Sequence, residues 1–147
     1  LGRNAFFGCS ALSRIALPAA LQSVGDGAFG ECGALETIIF DAKACLDLAA
    51  GNRVFAGAGD GGVTVSIGKS VERIPARLFF SSADADANIK IKSLVLSRGV
   101  TAIGEKAFFG ATVERALYLG TAAELKAVAI ADGNSALDGI VCEKESA

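Results

Sequence analysis

Four cysteines are the first residues in this chain with chemistry to offer: Cys9, Cys32, Cys45 and Cys142. No two stand in C-x-x-C spacing and the chain has no histidine. A zinc site therefore lacks its usual donors. A nucleophilic cysteine would lack its usual base. The absence of histidine also removes the Ser-His-Asp triad and imidazole acid–base catalysis. The run Gly57-Ala-Gly59-Asp-Gly61-Gly62 fits G-x-G-x-x-G, but a dinucleotide site needs a helix next, and Val63-Thr-Val-Ser-Ile67 reads as a strand. A flexible corner loop is the better reading. Asp84-Ala-Asp86-Ala-Asn88 resembles the first half of a calcium loop. The required Gly and Glu at its sixth and twelfth positions are Ile89 and Val95, so a solvated insertion is expected instead. Lys69 and Ser70 sit at a predicted corner, where a solvated turn outweighs Ser-Lys chemistry. The residues thus point to a chain with no catalytic, cofactor or metal site and no enzymatic activity.

Composition narrows the remaining classes. The chain has 147 residues, 52% of them apolar, which suits one folded domain and excludes disorder. Lys and Arg number 14 against 16 Asp and Glu, so the basic excess of a nucleic-acid binder is missing. Mean hydropathy is positive, at +0.47. Yet no apolar run approaches the ~20 residues of a spanning helix, and none is expected to cross a membrane.

The elements come from an internal repeat. Phe6, Phe29, Phe55, Phe79 and Phe108 each follow a small or aliphatic residue, at spacings of 23, 26, 24 and 29. Gly2, Gly25, Gly51 and Gly104 stand four residues before four of them, and Pro75 before Phe79. Between these anchors lie Leu12-x-x-Ile15-x-Leu17, Leu35-x-x-Ile38-x-Phe40, Val65-x-Ile67, Ile91-x-x-Leu94-x-Leu96 and Leu117-x-Leu119. Alternation with a period of two predicts one strand per unit. Leu21-x-x-Val24, Val71-x-x-Ile74 and Val100-x-x-Ile103 predict a second short extended run. Pro18 and Gly25 mark corners, Gly25 at a place where a positive φ can be required. Each A-F segment is predicted to return as a short helical or 3-10 turn, its Phe stacking on the next. One unit cannot bury its apolar side alone; stacked units can. Cys9 and Cys32 share a repeat position, which places them roughly 5 Å apart at Cα, within disulfide reach. Packed free thiols are favoured over a bridge.

The pattern G-x-x-A-F-x-x-C-x-x-L-x-x-I-x-L-P-x-x-L-x-x-V, complete from Gly2 to Val24, resembles the BspA-like (Treponema-type) leucine-rich repeat of bacterial surface proteins. Gly25 to Phe40 and Val63 to Phe80 carry further copies. Leu117 to Val141 is similar to a segment that closes such arrays, with Leu125 where Trp is common. The fold expected is an α/β, right-handed leucine-rich-repeat solenoid of about four to five coils, with parallel strands. The array takes 1–119 and a capping segment 120–147, within one domain. Thr121 and Glu124 form a capping-box pattern for a short helix, and Ile140-Val141-Cys142 reads as a last strand. The first repeat starts at once and leaves Leu12, Ile15 and Leu17 at an unpaired edge, so further repeats or another domain are expected before Leu1. The unpaired first strand predicts self-association.

The resemblance implies a non-catalytic, extracellular or cell-surface bacterial module that binds protein or glycan partners, as an adhesin does. A structural stalk, or an accessory domain of an enzyme, is the alternative. Function in a solenoid usually lies on the sheet face. The positions expected to point outward there are Ala16, Ile39, Ser66, Val95 and Tyr118, with a second column at Arg14, Thr37, Thr64, Ser93 and Ala116.

Overall fold

The computed structural model describes residues 1–80 and 88–144. The strands run β1 (Arg14–Leu17), β2 (Thr37–Phe40), β3 (Val63–Ile67), β4 (Arg73–Ile74), β5 (Lys90–Leu96), β6 (Ala102–Ile103), β7 (Thr112–Val113), β8 (Ala116–Thr121), β9 (Ala129–Ile130) and β10 (Val141–Lys144). One parallel sheet has the order β1-β2-β3-β5-β8-β10, with β7 also paired to β5. A second, narrow parallel sheet has the order β4-β6-β9. Sequential coils therefore lie side by side, each adding one rung, and the chain forms a solenoid of about five turns. We number the coils 1 to 5 by their anchors Phe6, Phe29, Phe55, Phe79 and Phe108.

Alternation decides what each strand buries. Ile15, Ile38, Val65, Leu94 and Ala116 share one inward column, and Leu17, Phe40, Ile67, Leu96 and Tyr118 share the next. Across the interior from them runs the phenylalanine ladder. Adjacent rings of Phe6, Phe29, Phe55, Phe79 and Phe108 stack at 5.1–5.5 Å between centroids. Each buried ring contributes about 2–3 kcal/mol by desolvation, and stacking adds about 0.5–1.5 kcal/mol. The second extended runs of coils 3 and 4 are β4 and β6, as the spacing predicts, whereas Leu21-x-x-Val24 forms no strand.

The segment around each Phe is built from tight turns rather than from helix. In coil 1, Ala5 N–H donates to the Gly2 carbonyl and Cys9 N–H to the Phe6 carbonyl, at 3.2 and 3.1 Å. The third residue of each turn, Asn4 and Gly8, has a positive φ of 55° and 74°. Coil 5 repeats this at Lys106 and Gly110, with φ of 54° and 78°. A left-handed residue at that place makes a reverse turn and stops a helix from propagating. Gly25 and Gly104 are needed for another reason. A Cβ at Gly25 would strike the Arg3 backbone, and one at Gly104 the Ala76 backbone. The corner glycine lets neighbouring coils approach, and its φ is not positive.

After coil 5 the repeat gives way to other elements. Helix α1 (Ala122–Lys126) has Thr121 as N-cap: Glu124 N–H donates to Thr121 Oγ1 at 3.2 Å, and Thr121 N–H donates to the Glu124 carboxylate at 3.4 Å. This is the capping box that the sequence predicts. Asn134 is 6% exposed and stands in for a further coil. Its Oδ1 accepts the Phe108 N–H at 3.0 Å, while its Nδ2 donates to the Gly104 and Ala131 carbonyls at 3.0 and 2.9 Å. Asn52, inside the array, likewise donates to the carbonyl three residues before it (Ala49), but it accepts the Val54 N–H of its own coil and donates to the Arg77 carbonyl of the next. β10 then covers the edge of β8.

Candidate partner-binding site

The outer face of the main sheet is a set of columns fixed by strand register. Ala16, Ile39, Ser66 and Val95 are paired across β1, β2, β3 and β5. The column continues to Leu117 on β8 and Val141 on β10. At the usual strand spacing it is about 24 Å long. Ile39, Val95 and Leu117 are half-buried among their neighbours, and Val141 is 59% exposed. The second column holds Arg14, Thr37, Thr64 and Ser93, again in register. Arg14 and Thr64 are exposed. The result is an apolar stripe beside a hydroxyl-rich one, with a guanidinium at the β1 end.

Tyr118 is not on this face. Its side chain points into the core and the residue is 2% exposed. The expectation that it points outward is corrected by register. In coils 1 and 2 the first inward strand residue lies nine positions after the anchor Phe (Ile15 after Phe6, Ile38 after Phe29). The same count from Phe108 falls on Leu117. Coil 5 returns one residue sooner, so Ala116 pairs with Leu94 and Tyr118 with Leu96. A slip of one residue exchanges the two faces of a strand. Leu117 therefore occupies the place expected for Tyr118, and Ala116 leaves the second column for the core. The inward position suits the tyrosine. A Cβ at Gly120 would clash with the ring, so glycine there leaves it room, and its hydroxyl donates to the Arg98 carbonyl at 3.3 Å. Burial raises the phenol's pKa above its ordinary value.

Two ion pairs tie neighbouring elements together. Arg98 holds Glu124 through two hydrogen bonds of 2.6 Å, tying α1 to the end of coil 4. The Arg98 guanidinium, helped by Thr121, holds the Glu124 carboxyl at about 2. Arg73 bonds to Asp47 at 2.7 Å and keeps that carboxyl below its ordinary range.

The other residues singled out for chemistry are dispersed. Cys32 donates its thiol proton to the Phe6 carbonyl at 3.0 Å, and burial raises its pKa. Cys9 and Cys32 are both free thiols. The Gly57–Gly62 run leads into β3, so the helix that a dinucleotide site requires does not follow it. Lys69 and Ser70 are exposed in a turn closed by Val71 N–H on the Gly68 carbonyl. Asp84 and Asp86 lie outside the described residues. Among the described residues, no three or more Cys, Asp or Glu side chains group so as to hold a metal ion. None of their helices is long and apolar enough to cross a membrane.

Strand register, the Phe ladder and the corner glycines recur together over the same stretch of chain. That stretch, residues 1–110, matches the model of the BspA type leucine-rich repeat region, in six copies. The chain belongs to the BspA-type leucine-rich repeat family. No curated protein and no solved structure matches it. BspA-type arrays are protein-interaction or repeat modules, and the leucine-rich-repeat solenoid is typically non-catalytic. The family is associated with bacterial surface proteins. In this BspA-type chain the outer column gains Leu117 and Val141 over the sequence reading. Val141 could have been found by extending the column onto the strand expected at Ile140-Val141-Cys142. Leu117 could not, because the spacing pattern placed it inside.

Proposed function

We propose that this chain is a non-catalytic, surface-exposed or secreted bacterial binding module that grips a protein partner on the outer face of its main sheet. The observation that carries this reading is the in-register column in which Val95, Leu117 and Val141 are adjacent, with Ile39 one rung beyond Ser66. Contiguous apolar groups on an open face mark interaction surfaces more often than isolated ones. The column sits on parallel strands that hold it rigid, so little ordering entropy is lost on binding. Thr37, Thr64 and Ser93 supply hydrogen-bond donors and acceptors beside it, and Arg14 a charged rim. An adhesin-like role follows if the partner is an extracellular matrix protein.

The test is a binding screen of the chain against immobilised extracellular matrix proteins, with an Ile39→Arg/Leu117→Arg double variant beside it. Both substituted side chains point outward, so the variant keeps the parent's circular dichroism. Binding by the parent, weakened at least about tenfold in the variant, is the expected result; that loss corresponds to about 1.4 kcal/mol. Binding that survives the double variant, or no binding by the parent, refutes the sheet-face reading.

A further inference from the structure

The turn side of coils 1 to 3 holds polar side chains that the fold leaves without work. Arg3, Asn4 and Phe7 of coil 1, Asp26 and Glu31 of coil 2, and Arg53 of coil 3 surround a recess of about 230 Å³. Missing side chains shape it. A Cβ at Gly27 would strike the Asn4 carboxamide, one at Gly30 the Phe7 ring, and one at Gly57 the Glu31 carboxylate. Phe7 lies against Gly30 and is still 55% exposed.

The equivalent positions of coils 4 and 5 are occupied with one another. Phe80 and Phe109 stack at 5.6 Å, Arg77 pairs with Glu105 at 3.7 Å, and the Lys106 ammonium lies 5.5 Å from the Phe109 ring centre. Around the recess the pairing is absent. The ion pairs among the described residues are Asp47–Arg73, Arg77–Glu105 and Arg98–Glu124, and neither Arg3, Glu31 nor Arg53 enters one. Asp26 uses one carboxylate oxygen to accept the Arg53 N–H at 2.6 Å and keeps the other available.

We propose that this recess binds one neutral pyranose ring of a glycan. The exposed Phe7 ring offers a negative π face to the C–H groups on one side of a sugar. The Asp26 and Glu31 carboxylates accept hydroxyl protons, and Arg3 and Arg53 donate to hydroxyl and ring oxygens, in charge-assisted bonds. Two cationic and two anionic side chains balance, so the recess selects neither an anion nor a cation. Its volume is below the ~300 Å³ at which sites for drug-sized ligands begin, which suits a single ring. The site shares no residue with the sheet-face columns and does not depend on them.

Saturation-transfer NMR tests the site. The probes are the methyl glycosides of glucose, galactose, mannose and N-acetylglucosamine, with glucuronic acid and glucosamine as charged comparators. At least one neutral glycoside is expected to bind at millimolar concentration and to shift the amides of Gly27 and Gly30. Phe7→Ala and Glu31→Gln each weaken it about tenfold, while Phe109→Ala and Ile39→Arg leave it unchanged. Both Phe7 and Glu31 are exposed, and an otherwise unaltered amide spectrum verifies the fold of each variant. The proposal is overturned if no neutral glycoside shifts those amides, if only the charged sugars bind, or if binding survives both Phe7→Ala and Glu31→Gln. The Ile39→Arg control separates this outcome from that of the sheet-face reading.

Discussion

The first and last coils of this chain are covered differently. After coil 5 Asn134 accepts the Phe108 N–H, as a carbonyl of the following coil accepts the Phe amide of coils 1, 2 and 4, and donates to the Gly104 carbonyl, while β10 covers the edge of β8. In coil 1 Leu1, Leu12, Ile15, Leu17 and Leu21 line an apolar groove of about 390 Å³, and Phe6, the first rung of the ladder, is 41% exposed. The interior of a stacked coil is both a greasy surface and a row of unpaired amides. Covering the first without bonding the second leaves buried polar groups, which is costlier than leaving an apolar edge wet. The elements after coil 5 answer both demands, whereas Phe6 of coil 1 stacks on Phe29 alone.

The sharpest way to break this comparison is to remove rungs from the ladder. Phe79 is fully buried with a ring on either side. Phe79→Ala is expected to cost about 3–5 kcal/mol, while Phe6→Ala costs about 1 kcal/mol because much of its surface is already wet. Urea unfolding of both variants measures this; equal losses would show that the two coils are packed alike. The next effect lies after coil 5. Asn134→Ala leaves the Phe108 N–H unpaired in the interior and removes one of the two hydrogen bonds to the Gly104 carbonyl, which keeps the Ala107 N–H, for a loss of about 1–3 kcal/mol. A loss no larger than that of an exposed Asn→Ala change would mean that water replaces the carboxamide.

The smallest effect concerns how α1 is held. Glu124 is held at about 2 in the folded chain against an ordinary 4.5, through Arg98 first and Thr121 second. A depressed carboxyl adds stability that is present above its ordinary value and disappears as the pH falls towards the folded one. The gap in urea midpoint between the parent and Glu124→Gln should therefore be open at neutral pH and closed near about pH 2. The pair is exposed, so the gap is small. A gap that is constant across this range would assign the effect of the variant to the helix cap alone.

Much of the architecture was legible because a repeat enforces the same physics several times over. The Phe spacing announced a stacked ladder, and the period-two pairs announced one parallel strand per coil. The Thr121-x-x-Glu124 box announced α1. Three features were not legible. The turns around each Phe read as short helix, since a positive φ at Arg77 or Lys106 follows from coil-to-coil bonding and not from residue preference. Gly25 read as a torsional need, whereas its reason is the Arg3 backbone of the neighbouring coil. Tyr118 read as an outward side chain, since coil 5 shortens by one residue where the spacing pattern gives no sign of it.

The candidate surfaces divide in the same way. Ala16, Ile39, Ser66 and Val95 could be placed outward from alternation alone, because each lies between two inward residues of one strand. Leu117 needed the pairing of β8 with β5. The turn-side recess could not be read at all, because Phe7, Glu31 and Arg53 belong to three coils and gather only when those coils stack.

The sequence by itself determined the repeat, the solenoid, the core ladder and the absence of imidazole chemistry, since these follow from residue type and local period. The tertiary structure alone decided register in the last coil, the hydrogen-bonded seal at Asn134 and the gathering of turn residues around one recess. Those depend on which backbone atoms of one coil meet which atoms of the next. That is a relation between segments more than twenty residues apart, and local pattern does not encode it.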